Sequence, residues 1–327
     1  MKVGKVPPEI LKQYIFGNLG KTRDDVLVHS SLGEDCSVID FGDEVCVLST
    51  DPITGAVQDI GRLAVHISCN DIAANGADPV GIMVTILAPL GTQAEDLGRI
   101  MSQINEESCL LGIEVLGGHS EITAGIDRVI ISTTAVGRAK KEHYVTSSGA
   151  EPGHDLVMTK GAGLEGTAIL VSDFADSLKD TLTPDQITTG RSFLQRISVV
   201  PDGQIAVQNG AVAMHDATEG GILGAAYEMA AASGVGVEIW EDAVIIHPVT
   251  RAVCAHFKIN PLALVSSGSM LIAAPNGDAV VQALEKEGIG AAVIGRFIHE
   301  GFRVVRDGKS YTAEPPERDE IWKVFAE

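Results

Sequence analysis

Asn70-Asp71-Ile72-Ala73-Ala74-Asn75-Gly76-Ala77-Asp78-Pro79 is the stretch on which the reading of this chain turns. It closes a run, Asp59 to Asn75, in which Ile60, Leu63, Ala64, Ile67 and Ile72 recur at helical spacing, so Asp71 falls in the C-terminal part of a helix. Three further aspartates stand beside glycine or at the end of an apolar run: Asp35 in Gly33-Glu34-Asp35-Cys36-Ser37-Val38, Asp51 in Ser49-Thr50-Asp51-Pro52, and Asp216 in His215-Asp216-Ala217-Thr218-Glu219-Gly220-Gly221. A lone aspartate in such a place is ordinarily a turn residue, because it tolerates turn geometry and hydrogen-bonds its own backbone. Four in one chain point to carboxylates gathered around a metal and a nucleotide.

Magnesium is a hard cation that takes oxygen ligands and keeps several waters, so short carboxylates plus substrate phosphates form its usual shell. Two carboxylates about 4 Å apart repel by about 4 kcal/mol at an effective dielectric of about 20, so several converging on one spot call for cations. Glycines beside the acids let backbone N–H groups approach phosphate oxygens, above all where a loop turns into a helix. Asp216 to Gly221 has that layout, and Gly117-Gly118-His119-Ser120-Glu121 after a strand has its first half. Neither a Gly-x-x-x-x-Gly-Lys-Ser/Thr loop nor a Gly-x-Gly-x-x-Gly strand-helix junction is present.

Charge and composition narrow the classes. A net charge of −20 and the lack of any basic stripe exclude a generic grip on nucleic-acid backbones. The 327 residues, 45% hydrophobic and 21% charged, suggest about two globular domains. The cysteines, Cys36, Cys46, Cys69, Cys109 and Cys254, are odd in number and lack Cys-x-x-Cys spacing, which reads as buried inert thiols in a reducing compartment, with Cys36 set apart by adjoining Asp35. No signal-peptide core opens the chain, and the apolar stretch around Val80 to Leu90 is too short to span a bilayer, so the expectation is a cytoplasmic protein with no membrane segment.

Periodicity supplies the elements. Helices are expected at Glu9 to Phe16, Asp59 to Asn75, Glu95 to Leu111, from Gly163 to about Asp173, Pro184 to Ile197, Ile222 to Ala232, Val249 to His256 and Gly277 to Gly288. Strands are expected at Val45 to Ser49, Val80 to Ala88, Glu114 to Leu116 ending in Gly117-Gly118, Arg128 to Val136, Asp155 to Lys160, Val235 to Trp240, Met270 to Ala274 and Ala292 to Ile298, with a hairpin at Phe302 to Thr312. The pattern is α+β. The breaker-rich stretch from Lys140 to His154 marks the boundary between an N-terminal domain, 1–145, and a C-terminal domain, 153–327.

The order of these segments resembles the aminoimidazole-ribonucleotide-synthetase, or PurM-like, superfamily, which includes selenophosphate synthetase, thiamine-monophosphate kinase and the HypE hydrogenase-maturation proteins. Gly33 to Ile39 is similar to its Gly-Asp/Glu-Asp-Ala-Ala-Val element, Ser49 to Pro52 to its Thr-Asp element, and Asn70 to Pro79 to its Asn-Asp-Ile/Leu-Ala-x-x-Gly-Ala-x-Pro signature. Gly117 to Ser120, Thr159-Lys160-Gly161 and His215 to Gly221 are similar to its later elements. The resemblance implies a two-domain PurM-like fold whose N-terminal sheet domain pairs with its twin in a homodimer, and ATP with Mg2+ near the groove between domains. It implies that Asp35, Asp51, Asp71 and Asp216 hold metal ions, and that Gly33, Gly117, Gly118 and His119 join them in binding ATP.

The implied activity is ATP-dependent phosphorylation of an oxygen, amide, carbonyl-like or phosphate, of a small molecule. The alternatives are a thiamine-monophosphate-kinase-like kinase and a non-catalytic ATP-binding accessory protein with a maturation-protein partner. HypE-type proteins end in a cysteine that carries the carbamoyl group; this sequence ends Trp322-Lys323-Val324-Phe325-Ala326-Glu327, so that reaction is not expected, and the loosely defined AIR synthase-related, HypE-like group fits best. Candidate catalytic groups are His119, Glu121 and Lys160, each with an ordinary alternative: a polar loop histidine, a surface acid, a solvated strand-end lysine. His66, among apolar neighbours, reads as a satisfied core histidine, and His215 as a residue behind Asp216.

Overall fold

Strands form where β-branched residues alternate between two environments. Along Ile130–Lys140, Ile131, Thr133 and Ala135 are buried while their neighbours on the other face are half-buried, the two-residue period of a sheet covered on one side. The computed structural model, which describes residues 4–54 and 59–325, places this strand in a six-stranded sheet. Its order is β1 (Val26–Val28), β2 (Ser37–Asp40), β3 (Glu44–Ile53), β6 (Ile130–Lys140), β4 (Asp78–Ala88), β5 (Glu114–Ile122). All pairs are antiparallel except β4 with β5, the parallel pair that the crossover through α3 (Ala94–Leu111) requires.

The helix that carries Asp71 is α2 (Ile60–Ala74), and every residue of it except Arg62 and Ile67 is buried. A helix apolar all round must be covered on all sides. One side of α2 lies on β3 and β6, the other on α6 (Val200–Gln208) and β8 (Ala213–Asp216). One core accordingly runs through both halves of the chain, joining Ile72, Val84 and Ile131 to Val199, Met214 and Ile272.

The second sheet has seven strands, ordered β13 (Lys309–Thr312), β12 (Phe302–Arg306), β9 (Gly236–Trp240), β11 (Ala291–Ile298), β7 (Asp155–Thr159), β10 (Met270–Ala274), β8. β10, one strand in from the β8 edge, is buried at every residue, as expected of a strand covered on both faces. On this sheet pack α7 (Gly221–Ser233) and α9 (Gly277–Lys286), while α4 (Leu164–Asp173), α5 (Pro184–Ser192) and α8 (Pro248–Phe257) pack on one another around a core of their own. The chain is flanked by short α1 (Pro8–Ile10), continued by a π turn over Leu11–Ile15, and α10 (Ile321–Phe325). This is an α+β architecture built on two sheets.

Several expectations are corrected. The strand expected to end at Leu116 continues through Gly117 and Gly118 to Ile122 as the sheet edge. Gly118 is needed there: a Cβ on it would stand 1.8 Å from the Val84 carbonyl oxygen. The pair is therefore strand backbone rather than a turn that follows the strand. The strand ahead of Asp51 runs on to Ile53, so Asp51 lies within it. The helix from Pro184 ends at Ser192 and tightens to a 3-10 turn. Helix α6, with Pro201 and Gly203 diluting its apolar pattern, was not expected, nor were the short β1 and β2. Of the thiols, Cys36, Cys69 and Cys254 are buried, Cys46 is partly covered and Cys109 is exposed.

Candidate metal and nucleotide site

Asp71 sits near the C-terminal end of α2 and is buried, accepting a hydrogen bond from Ser49 Oγ on β3. Burial pushes its carboxyl well above the usual range, and the carboxylates of Asp216, Asp35 and Asp51 push it further. Four aspartates far apart in sequence thus act on one another directly. Asp216, at the end of β8, is raised to about 7, first by burial and then by Asp35, with His215 opposing. The enclosed Cys36 thiol is also driven well above its ordinary value by burial and by all four acids, which makes it inert as a nucleophile.

Local structure explains how each acid arrives. Asp35 lies in the loop that opens β2, held because the Glu34 carboxylate accepts hydrogen bonds from the backbone N–H of Ser147 (3.2 Å) and Ser148 (3.3 Å) in the interdomain connection. Gly33 has φ 80° and abuts the Glu228 carbonyl of α7, where a Cβ would come within 3.2 Å; that packing accounts for its being glycine. Asp51 faces Thr133 across the β3–β6 ladder. Asp216 closes β8, pairing with Met270.

One ligand atom each of Asp35, His215 and Asp216 lies within 4.8 Å of the others. His215 is nonetheless committed elsewhere: Nδ1 is 2.6 Å from Asp35 Oδ2 and Nε2 is 2.9 Å from Glu228 Oε2. These two carboxylates overcome burial and hold the imidazole well above its usual value. A cationic imidazole has no lone pair for a metal, so His215 braces Asp35 and leaves the ligand set all-oxygen. Asp216 Oδ2 is buried with no hydrogen-bond partner among the described residues. An orphaned carboxylate oxygen among mutually repelling acids, with hard donors only, fits a magnesium ion.

The remaining expected site residues are placed differently. His119 and Glu121 are exposed on edge strand β5, 3.3 Å apart, and no hydrogen bond or ion pair among the described residues links β5 to the four carboxylates. Lys160 is neither solvated nor free for a phosphate. Its ammonium is buried, donating to Ser198 O (2.6 Å) and pairing with Asp202 at 3.1 Å. Gly220, expected to offer its N–H to a phosphate, donates it to Asp319 Oδ2 at 2.7 Å.

Sequence reasoning missed Glu228, although it is the one charged residue of the alanine-rich α7, a signal that was available. It also missed Lys5, 3.7 Å from Glu228 and drawn upward by Glu228, Asp35, Glu219 and Asp216 against the effect of burial.

The chain matches the family models for the AIR synthase related protein, N-terminal domain over residues 33–139 and C-terminal domain over residues 151–307. A putative hydrogenase expression/formation protein of Methanocaldococcus jannaschii is 30% identical over 84% of this chain and 82% of its own length. The crystal structure of Escherichia coli HypE, a hydrogenase maturation protein, superposes with a TM-score of 0.73 at 26% identity, covering 84% of this chain and 86% of that one. A HypE structure in complex with ATP has the same fold, with a TM-score of 0.70 at 19% identity, covering 98% of this chain and 97% of the other.

Proposed function

The chain belongs to the AIR synthase related protein family, as a HypE-like member with a PurM-like fold, and from that membership we propose an ATP- and magnesium-dependent enzyme that phosphorylates an oxygen atom of a small molecule. The observation that carries the reading is the convergence of Asp35, Asp51, Asp71 and Asp216 from both domains, with Asp216 Oδ2 lacking a hydrogen-bond partner among the described residues. Residues 1–145 serve as the nucleotide-binding and dimerisation domain and 153–327 as its companion. Magnesium, when bound by these four carboxylates, neutralises phosphate charge and holds the triphosphate.

The residues themselves do the positioning. Ser49 holds the Asp71 carboxylate by its hydroxyl, and His215, tethered by Glu228, holds that of Asp35. Burial of Asp71 and Asp216 excludes water, so their charge acts in a low dielectric. The γ-phosphoryl passes to the substrate oxygen and ADP departs; catalysis of this kind is positioning and charge neutralisation. A homodimer is supported by the uncovered face of the six-stranded sheet, where Val80, Met83 and Leu116 are exposed. The name of the M. jannaschii relative, a putative hydrogenase expression/formation protein, supports the alternative of an accessory role in hydrogenase formation. Among the described residues no helix is long and apolar enough to cross a membrane.

Thermal unfolding tests this. ATP plus magnesium at 100 times the dissociation constant should add about 2.7 kcal/mol of stability, and either alone much less. ADP release with candidate amides or with thiamine phosphate then separates an enzyme from an accessory binder. No stabilisation by the pair sinks the proposal.

A further inference from the structure

We infer that Asn70 and Lys160 grip the same turn, Ile197-Ser198-Val199, from opposite domains and so set the spacing between Asp71 and Asp216; both are positioning residues for the carboxylate site. The inference rests on the functional reading above. Asn70 is fully buried on α2, next to Asp71. Its side-chain amide donates to the Ile197 carbonyl at 2.8 Å and accepts from the Val199 N–H at 2.9 Å. It therefore pairs with that turn as a neighbouring strand would, using both halves of its amide. The carbonyl between those two groups, Ser198 O, accepts from Lys160 Nζ at 2.6 Å. Three consecutive backbone groups of the turn, Ile197 O, Ser198 O and Val199 N–H, are thereby held, two from the first domain and one from the second.

Lys160 is built for this task. It has φ 58°, a left-handed backbone that side chains other than glycine, asparagine and aspartate rarely adopt, and it directly follows β7. Such a residue persists only where its surroundings determine it. Here the backbone N–H bonds to Gly290 O at 2.6 Å and the ammonium is paired with Asp202, itself buried on α6. The same helix α6 presses onto α2 at Gly203, where a Cβ would stand 2.2 Å from the Ala73 carbonyl oxygen. The helix bearing Asp71 is thus locked to the second domain at Asn70 and at Ala73, on either side of the carboxylate. Groups that orient metal ligands in this way change metal affinity by about 10- to 100-fold when removed.

The test uses the full chain and three variants: Asn70→Ala, Lys160→Met made together with Asp202→Asn so that no buried carboxylate is left unpaired, and all three substitutions combined. Hydrogen exchange of the ligand-free proteins should show lost protection at Val199 and at the C-terminal turn of α2 together, with β12 and β13 unchanged. The magnesium concentration that half-saturates the ATP-dependent thermal shift should rise about 10- to 100-fold in each variant. The combined variant should be no worse than the poorer of the other two, because both grips act through one turn. Magnesium dependence equal to wild type, or effects that simply add, overturns the inference. A wild-type protein indifferent to magnesium and ATP removes the functional reading and the metal-positioning role with it, while hydrogen exchange still decides whether the clamp exists.

Discussion

His215 Nδ1, on the second sheet, lies 2.6 Å from Oδ2 of Asp35, in the loop that leads into the first. This contact crosses the two domains, and Glu228 completes it from the other side of the ring at 2.9 Å. Replacing Glu228 by Gln keeps the shape and removes one of the charges that holds the imidazole protonated. The His215 pKa, followed by NMR titration, should fall toward its ordinary value. Stability should drop by about 1.5 kcal/mol, the low end for a charge-assisted bond because Glu228 is partly exposed. An unmoved His215 titration would show that Asp35 alone sets its charge.

Asp71→Asn should separate function from stability. In the ligand-free protein the Asp71 carboxyl is disfavoured as an anion by burial and by three neighbouring acids, so a neutral isostere relieves repulsion while the Ser49 hydroxyl can still donate to the amide oxygen. The melting temperature without ligand should stay level or rise, and the magnesium-dependent part of ATP binding should weaken by about 100-fold, as expected when a metal ligand is lost. A variant with wild-type affinity for magnesium and ATP removes Asp71 from the site.

The same acids give the ligand-free protein a definite pH profile. Asp216 is raised from 3.8 to about 7, so its contribution to stability is full below about pH 4 and is lost as pH climbs to about 7, on the order of a few kcal/mol at 1.36 kcal/mol per unit. His215, raised well above 6.5, acts in the same sense: its contribution is present below 6.5 and is lost above its folded value. Glu228, held down at about 2, contributes above 4.5 and is lost as pH falls toward 2. Ligand-free stability should therefore peak on the acid side of neutrality. Magnesium with ATP should move the peak upward and release protons on binding between pH 4 and 7, measurable by titration calorimetry in buffers of different ionisation enthalpy. A flat profile without ligand would mean the carboxylates do not interact.

Much of this was legible in the sequence because Asp35, Asp51, Asp71 and Asp216 each sit in a short string with its own local signature, and because runs such as Ile130–Lys140 keep a clear two-residue period. What was not legible depends on distance. Nothing around Lys160 distinguishes a solvated end of strand from a buried cation, since Asp202, 42 residues on, reaches it only through the tertiary packing of α6. Nothing around Gly117-Gly118 distinguishes a turn from an edge strand pressed against its parallel neighbour, since the Val84 carbonyl that forbids a side chain belongs to another strand. Glycine reports that space is short or that the backbone is unusual, and the sequence alone does not say which.

That ambiguity yields a contrast between adjacent residues. Gly117 and Gly118 have similar backbones, φ 154° and 150°, but a Cβ on Gly117 meets nothing within 4 Å among the described residues, whereas one on Gly118 would overlap the Val84 carbonyl oxygen. Gly117→Ala should cost about 1 kcal/mol, the low end of the penalty for a side chain at a positive φ that favours glycine. Gly118→Ala forces β4 and β5 apart and should cost about 3 kcal/mol or more, because the obstacle is backbone and has no rotamer to adopt. Denaturant unfolding measures both. If the pair instead served as a phosphate loop, Gly118→Ala would leave stability near wild type and abolish ATP binding; the strand assignment requires the reverse, a destabilised protein whose remaining folded fraction still responds to magnesium and ATP.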